Sequence, residues 1–340
     1  MHRIRHGVVA SREGDLTDRR GTPWISLLLG AALLAAVVGS VLHFSEERAF
    51  LRVMQQARPA WLVVAAVLQA ATYLAQGDIW RRVGAAGDFH LSRRTAFELG
   101  LAKLFADQML PSAGLSSSML IARALASRDG APAAVKAAVL VNIASYHLAY
   151  FVALTAALVI VWRQGDAAAM VMGPAAAFLL FSVGLAAAVV ELSGHVPPAL
   201  ARAMDRRAAG RGLLSFMTGA DPSLVRNPRL LAETIGLQLT IMLLDAVTVW
   251  TLIGAMGEIV SPTRVFASFM IASLVRTMGF IPGGLGTFEA TSVLTLRMTG
   301  VSLPVALAAT LLFRGLSFWL PMLPGYWCSR RAVSGGVARP

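Results

Sequence analysis

The stretch Arg276 to Glu289 reads RTMGFIPGGLGTFE, and the stretch Asp107 to Ile121 reads DQMLPSAGLSSSMLI. Each breaks at Pro and Gly inside otherwise apolar sequence, and the two occupy corresponding places in the two halves of the chain. Unwound backbone at membrane depth is tolerated only where protein or a water-filled cavity satisfies its N–H and C=O groups. Matched interruptions therefore point to a transport site. The competing reading is that Pro and Gly merely kink two ordinary membrane helices, which accept both residues.

Composition supports a membrane setting for these breaks. Hydrophobic residues make up 56% of the 340 and charged residues 14%, against roughly 25% charged in a soluble domain. Several apolar segments reach the about 20 residues needed to cross a hydrocarbon core. The single cysteine, Cys328, excludes an intramolecular disulfide. The six histidines never recur at metal-ligand spacing, so neither a metal site nor a cofactor is indicated. A formal net charge of +12 would suit nucleic acid, but the arginines lie where a membrane protein places them, so no nucleic-acid partner is expected.

The expected fold is an all-α polytopic membrane protein with about six full transmembrane helices and two re-entrant hairpins. Residues 1–23 form a polar, disordered cytoplasmic tail, residues 24–327 the transmembrane domain, and residues 328–340 a second cytoplasmic tail. The spans are Trp24 to Phe44, Pro59 to about Trp80, Ala137 to Trp162, Met170 to Val190, Ala232 to Ile253, and about Pro304 to Trp327. Thr95 to Ala126 and Val265 to Leu296 are the hairpins. Glu191 to Leu231 is the largest loop. Under this topology 20 Lys and Arg fall in cytoplasmic segments and 6 in outer ones. That asymmetry predicts an inner-membrane protein with both termini cytoplasmic. One hairpin entering from each side is the pattern of an inverted-topology repeat.

The run Phe280-Ile281-Pro282-Gly283-Gly284-Leu285-Gly286-Thr287-Phe288-Glu289 resembles the PGGLGxxE signature of the flippase-like transmembrane region of lysylphosphatidylglycerol synthase. The resemblance extends to Arg314 in the last span and, more loosely, to Leu110-Pro111-Ser112-Ala113-Gly114 with Arg123. It covers most of residues 20–330. Many members carry a Gly-Glu pair after the first Pro-Gly turn, where this chain has Leu115-Ser116, so no acidic role carries over there. Bifunctional relatives append a soluble aminoacyl-transfer domain, whereas this sequence ends 13 residues after Trp327. The resemblance implies lipid translocation or a related transport role rather than synthase activity.

The residues themselves suit such a role. A Pro-Gly-Gly-Leu-Gly turn (Pro282, Gly283, Gly284, Gly286) lets a helix begin at membrane depth, with its free N–H groups facing an anion such as a lipid phosphate. Gly114 and the hydroxyls from Ser116 to Ser118 can do the same in the first half, or simply cap their own helix. Arg276, Glu289 and Arg314 flank the glycine loop and are expected around one cavity. Arginine's planar fork fits phosphate through paired hydrogen bonds. The alternative is a structural Arg–Glu pair. Charge inside a membrane costs about 2.5–3.5 kcal/mol at a helix centre on insertion scales, so it pairs or lines a wet path. Lys103 and Asp107, four apart, read as an ion pair or as part of a coupling path. Asp245 sits mid-span without a local partner and is a candidate for proton or ion coupling. His147 reads as a hydrogen-bonded packing residue.

Three function classes remain open: a lipid flippase or carrier, an ion-coupled transporter of a small solute, and a membrane enzyme acting on lipid phosphates. The turn Pro111-Ser112-Ala113-Gly114 is faintly similar to a lipid-phosphatase turn, but no histidine follows it. No nucleophile with a base can be assembled, so an enzyme is not expected. The expected partner is a membrane lipid with an anionic headgroup. Self-association into a homo-oligomer is left open.

Overall fold

The computed structural model describes residues 55, 57–109, 115–127, 130–164, 169–206, 208–278 and 281–334. The predicted span Trp24 to Phe44, both tails beyond these limits, and the residues Pro111 and Gly114 lie outside them.

The protein is an all-α polytopic membrane protein. Proline opens six of the thirteen α-helices among the described residues, because at the first helical position its missing N–H is not needed and its fixed φ suits the helix. In chain order the helices are α1 (Pro59–Ala86), α2 (Arg93–Met109), α3 (Leu115–Ala126), α4 (Pro132–Arg163) and α5 (Ala169–Leu192). Three short helices follow, α6 (Pro198–Asp205), α7 (Ala208–Thr218) and α8 (Pro222–Val225). The chain continues through α9 (Pro228–Ala255), α10 (Pro262–Met278), a 3₁₀ turn (Pro282–Gly284), α11 (Thr287–Met298) and α12 (Leu303–Arg314). A π turn (Gly315–Trp319) joins α12 to α13 (Leu320–Ser334).

Among the described residues, 5 segments are long and apolar enough to cross a bilayer: α1, α4, most of α5, α9, and the run Leu303–Ala332. They coincide with five of the six predicted spans. Large apolar side chains face outward, with Leu180 at 77% and Leu323 at 75% exposure, the pattern of a surface solvated by lipid chains rather than water. The segment read as one long loop, 191–231, instead carries α6, α7, α8 and the first turn of α9. Here Arg226 donates from Nε to Val190 O (3.1 Å) and from Nη2 to Glu191 O (2.8 Å), covering carbonyls freed at the end of α5. Asp221 starts α8 by accepting from Ser223 N, and Asn227 starts α9 by accepting from the N–H groups of Arg229 and Leu230.

Helix lengths recur across the chain. The order 28, 17, 12 and 32 residues in α1 to α4 is answered by 28, 17, 12 and 30 in α9, α10, α11 and the last span. The packing follows the same correspondence. The two 28-residue helices, α1 and α9, pack on each other, α2 packs on α13, and α10 packs on α4. Where α1 crosses α2, a Cβ on Gly77 or Gly100 would lie 3.1 Å from the facing backbone. Small residues permit this approach, which supplies contact where the bilayer offers no hydrophobic drive between helices. One apolar cluster includes Leu154, Leu252, Met270, Phe288 and Phe313 around the second broken pair. The other includes Trp80, Leu99, Ile121, Leu125 and Leu140 around the first.

Candidate functional site

Both predicted interruptions are breaks between a 17-residue and a 12-residue helix, and the second lies against the helix that precedes the first. The turn at Pro282–Gly284 packs against the end of α2. A Cβ on Gly283 would lie 3.3 Å from Gln108 O and overlap the Phe318 ring. Gly283, Gly284 and Gly286 have φ of 60°, 63° and 80°, in the left-handed region that only glycine enters freely. At Gly284 a Cβ would overlap Cγ of Arg276. The spaces beside Gly283 and Gly284 are thus taken by the protein's own side chains, Phe318 and the Arg276 stem.

Glu289 closes the turn. Its Oε2 accepts from Gly286 N at 2.6 Å, reaching back over the first turn of α11 as a capping carboxylate does. Its Oε1 accepts from Arg314 Nε at 2.6 Å, and Arg314 Nη2 donates to Gly283 O at 2.9 Å. Arg314 is 3% exposed and Glu289 1%. The guanidinium lies 4.4 Å from the Phe318 ring centroid and 5.3 Å from that of Phe288. Charge-assisted hydrogen bonds and two aromatic faces hold the ion pair where neither partner has water.

Arg276 is placed differently. It is half-buried near the end of α10, with its guanidinium 6.0 Å from the Phe288 centroid. It makes no hydrogen bond or ion pair among the described residues. Its charge reaches Asp245 and Arg314. Val275, Thr277 and Met278 beside it are exposed, so this end of α10 opens to the surroundings.

Asp245 finds its partner on another helix, as its sequence setting required. Gln69 Nε2 donates to Asp245 Oδ1 at 2.8 Å and to Thr248 Oγ1 at 3.3 Å. Thr248 gives its own proton to Leu244 O, so its oxygen is free to accept. Tyr73, close to Asp245, donates to Leu316 O. Gln108 Nε2 donates to Ser317 O at 3.1 Å. Leu316 and Ser317 belong to the π turn, whose widened hydrogen-bond pattern exposes carbonyl oxygens to outside donors.

The other expected residues are distributed around this cluster. Lys103 and Asp107 form an ion pair at 2.7 Å on α2. Arg123 is exposed in the last turn of α3, and Ser116 lies in its first turn. His147 Nδ1 lies 3.5 Å from Ser182 Oγ amid Tyr146, Phe178 and Phe181. Sequence reasoning missed Gln69, Tyr73, Gln108, Phe288 and Phe318. The signal for the first two was polar residues inside an apolar span. A cavity of about 380 Å³ lined by Glu258, Ser261, Arg264 and Thr299 lies at the far end of α10 from Arg276.

Residues 24–325 match the family described as the lysylphosphatidylglycerol synthase TM region. The chain belongs to that family. A curated relative, a UPF0104 membrane protein of Methanothermobacter thermautotrophicus, is 28% identical over 97 residues. That alignment covers 28% of this chain and 29% of the relative, so the chain spans less than a third of the relative's length in the match.

Proposed function

We propose that this member of the family moves a lipid with an anionic headgroup between the leaflets of the cell's inner membrane, without chemical change to the lipid. The observation that carries this reading is Arg276, a half-buried cation with no ionic partner among the described residues, standing where the two broken helices converge. An unpaired guanidinium at membrane depth is costly, and a phosphate diester would satisfy it through two parallel hydrogen bonds. Arg314 and Glu289 then act as positioning residues. They hold the turn Pro282, Gly283, Gly284 and Gly286 against the stem of Arg276. Pro111, Gly114, Ser116 and Arg123 are the corresponding candidates of the first half in this scheme and Asp245 serves ion coupling, whereas Lys103 and Asp107 are closed on one another as an ion pair.

Recurring helix lengths and exchanged packing partners support an inverted repeat. In that arrangement α2–α3 and α10–α11 enter from opposite sides as re-entrant hairpins. The excess of Lys and Arg in one set of connections supports cytoplasmic termini. Purified protein in liposomes containing fluorescent phosphatidylglycerol tests the function, with leaflet exchange read by quenching of outer-leaflet probe. Wild type should accelerate exchange over empty liposomes, and Arg276→Ala should abolish it while keeping a monodisperse, folded protein. Exchange at the wild-type rate in Arg276→Ala would reject the site. Mass spectrometry of the lipid after incubation should show no new species.

A further inference from the structure

Asp245 and Arg276 lie close enough for the charge of the guanidinium to act on the carboxyl, yet neither has a salt bridge among the described residues. Asp245 accepts from a neutral amide, Gln69, and Arg276 stands nearby with no ionic partner. The second pair in the cluster, Arg314 with Glu289, is closed and internally neutral. Among the described residues, the charge balance beside this end of α10 therefore rests on Asp245 and Arg276. Bringing an anionic headgroup to Arg276 while Asp245 stays ionised would add a net negative charge at membrane depth, which the low-dielectric surroundings oppose.

We propose that Asp245 takes up one proton when an anionic headgroup binds Arg276 and releases it when the headgroup leaves, making the protein an electroneutral proton–anion symporter. The deprotonated carboxylate balances the guanidinium of the empty site. The incoming phosphate diester replaces that negative charge, and a proton from water neutralises a carboxylate oxygen of Asp245. Net charge is zero in both states, so one proton travels with each singly charged headgroup. Gln69 favours a proton over a metal cation, because it presents Nε2 to the carboxylate, where a bound cation would need a carbonyl oxygen. The titratable and charged groups around Asp245 are Tyr73 on α1 and Arg276 on α10, and Arg276 in turn is faced by Tyr150 on α4. Beyond Arg276 lies Arg314, paired with Glu289. His147 is turned instead toward Ser182.

The counterpart region in the other half lacks this device. Laid from their first residues, α9 on α1 pairs Asp245 with Gln76, and α10 on α2 pairs Arg276 with Asp107. Gln76 cannot take up a proton at ordinary pH, and Asp107 is already bound to Lys103. Proton coupling belongs to the second half alone.

This inference rests on the anion-moving role of Arg276, and the test separates the two. Liposomes holding fluorescent phosphatidylglycerol are given a pH gradient, or a potassium-valinomycin potential of either sign. Wild type should respond to the pH gradient with net lipid transfer and stay indifferent to the potential and to sodium. Asp245→Asn should lose the pH response, and Asp245→Glu should regain it. A response driven by potential or by sodium, or an equal pH response in Asp245→Asn, overturns the proposal. Independently of transport, infrared difference spectra in nanodiscs should show a carboxylic-acid band that is absent in Asp245→Asn. Its titration midpoint should move in Arg276→Gln and between phosphatidylglycerol and phosphatidylcholine discs. If wild type moves no lipid but the band behaves so, the transport reading fails and the shared-arginine switch stands. A midpoint indifferent to both changes rejects the switch.

Discussion

In the first broken pair the end of α2 carries Asp107, held one turn away by Lys103 at 2.7 Å. In the second, the matching place on α10 carries Arg276, which has no ionic partner among the described residues. Further along the same register, Ser117 of α3 answers Glu289 of α11, and Asn142 of α4 answers Arg314 when Pro132 is laid on Pro304. Asn142 accepts from Gln238 at 3.3 Å, an exchange between neutral amides. Equal helix lengths thus carry opposite chemistry. Beside its break the first half has a local pair and an exchange between neutral amides, whereas the second places a buried long-range ion pair at its glycine turn. Helix lengths recur between the halves while the side chains at matching positions differ.

The comparison breaks most visibly at the buried ion pair. Arg314→Ala leaves Glu289 buried and uncompensated and should destabilise the protein by about 3–5 kcal/mol, seen as early thermal aggregation on size-exclusion profiles. Adding Glu289→Gln should recover much of that loss. The matched change in the first half, Asn142→Ala, should cost only about 1–3 kcal/mol, because it orphans a neutral amide. An equal cost at the two positions would show that the halves are energetically alike.

Gly284→Ala sharpens the same contrast through the backbone. A Cβ there is both at positive φ and in the path of the Arg276 stem. Strain of about 1–3 kcal/mol is expected, together with loss of lipid exchange as Arg276 is displaced. Exchange that survives while thermal stability falls would separate the turn's folding role from its placement of Arg276.

A smaller effect is expected at α2. Lys103→Met should lower stability by less than Arg314→Ala does, because its pair is 14% and 29% exposed, against 4% and 2% for Arg314 with Glu289, and is local in sequence. Lipid exchange should persist. Its loss would place the first half's charges on the transport path after all.

The smallest effect lies outside both pairs. Asp221 accepts from the backbone N–H and the hydroxyl of Ser223, which hold its carboxyl below the usual carboxylate range. A depressed folded-state value means the contribution is present above the unfolded value, near pH 3.9, and fades as pH falls through the folded one. Asp221→Ala should cost about 1 kcal/mol at neutral pH, with the difference from wild type shrinking in acid. Thermal melts of both proteins across that pH range measure it.

Much of the frame was legible beforehand because it depends on local rules. Proline at Pro59, Pro132 and Pro228 set helix starts close to the predicted spans. The glycine turn was legible because Pro282 and its glycines cannot continue a helix. The long segment 191–231 was read as a loop because its arginines and glycines obscure helices too short for a clear period, and α8 has only 4 residues. The π turn left only Gly315 as a trace.

Composition, the Pro and Gly breaks and the charge distribution along the chain determined that this is a helical membrane protein interrupted twice, because those properties follow from solvation and backbone sterics residue by residue. Which arginine has an ionic partner among the described residues was settled only in three dimensions. Arg276 and Arg314 look equally available beside the glycine turn in sequence. The crossing of α12 over α11 brings Arg314 onto Glu289, while Asp245, close enough to feel the charge of Arg276, takes its hydrogen bond from Gln69 instead. Those partners come from helices up to 176 residues apart, and pairing at that range is decided by packing, which no local rule encodes.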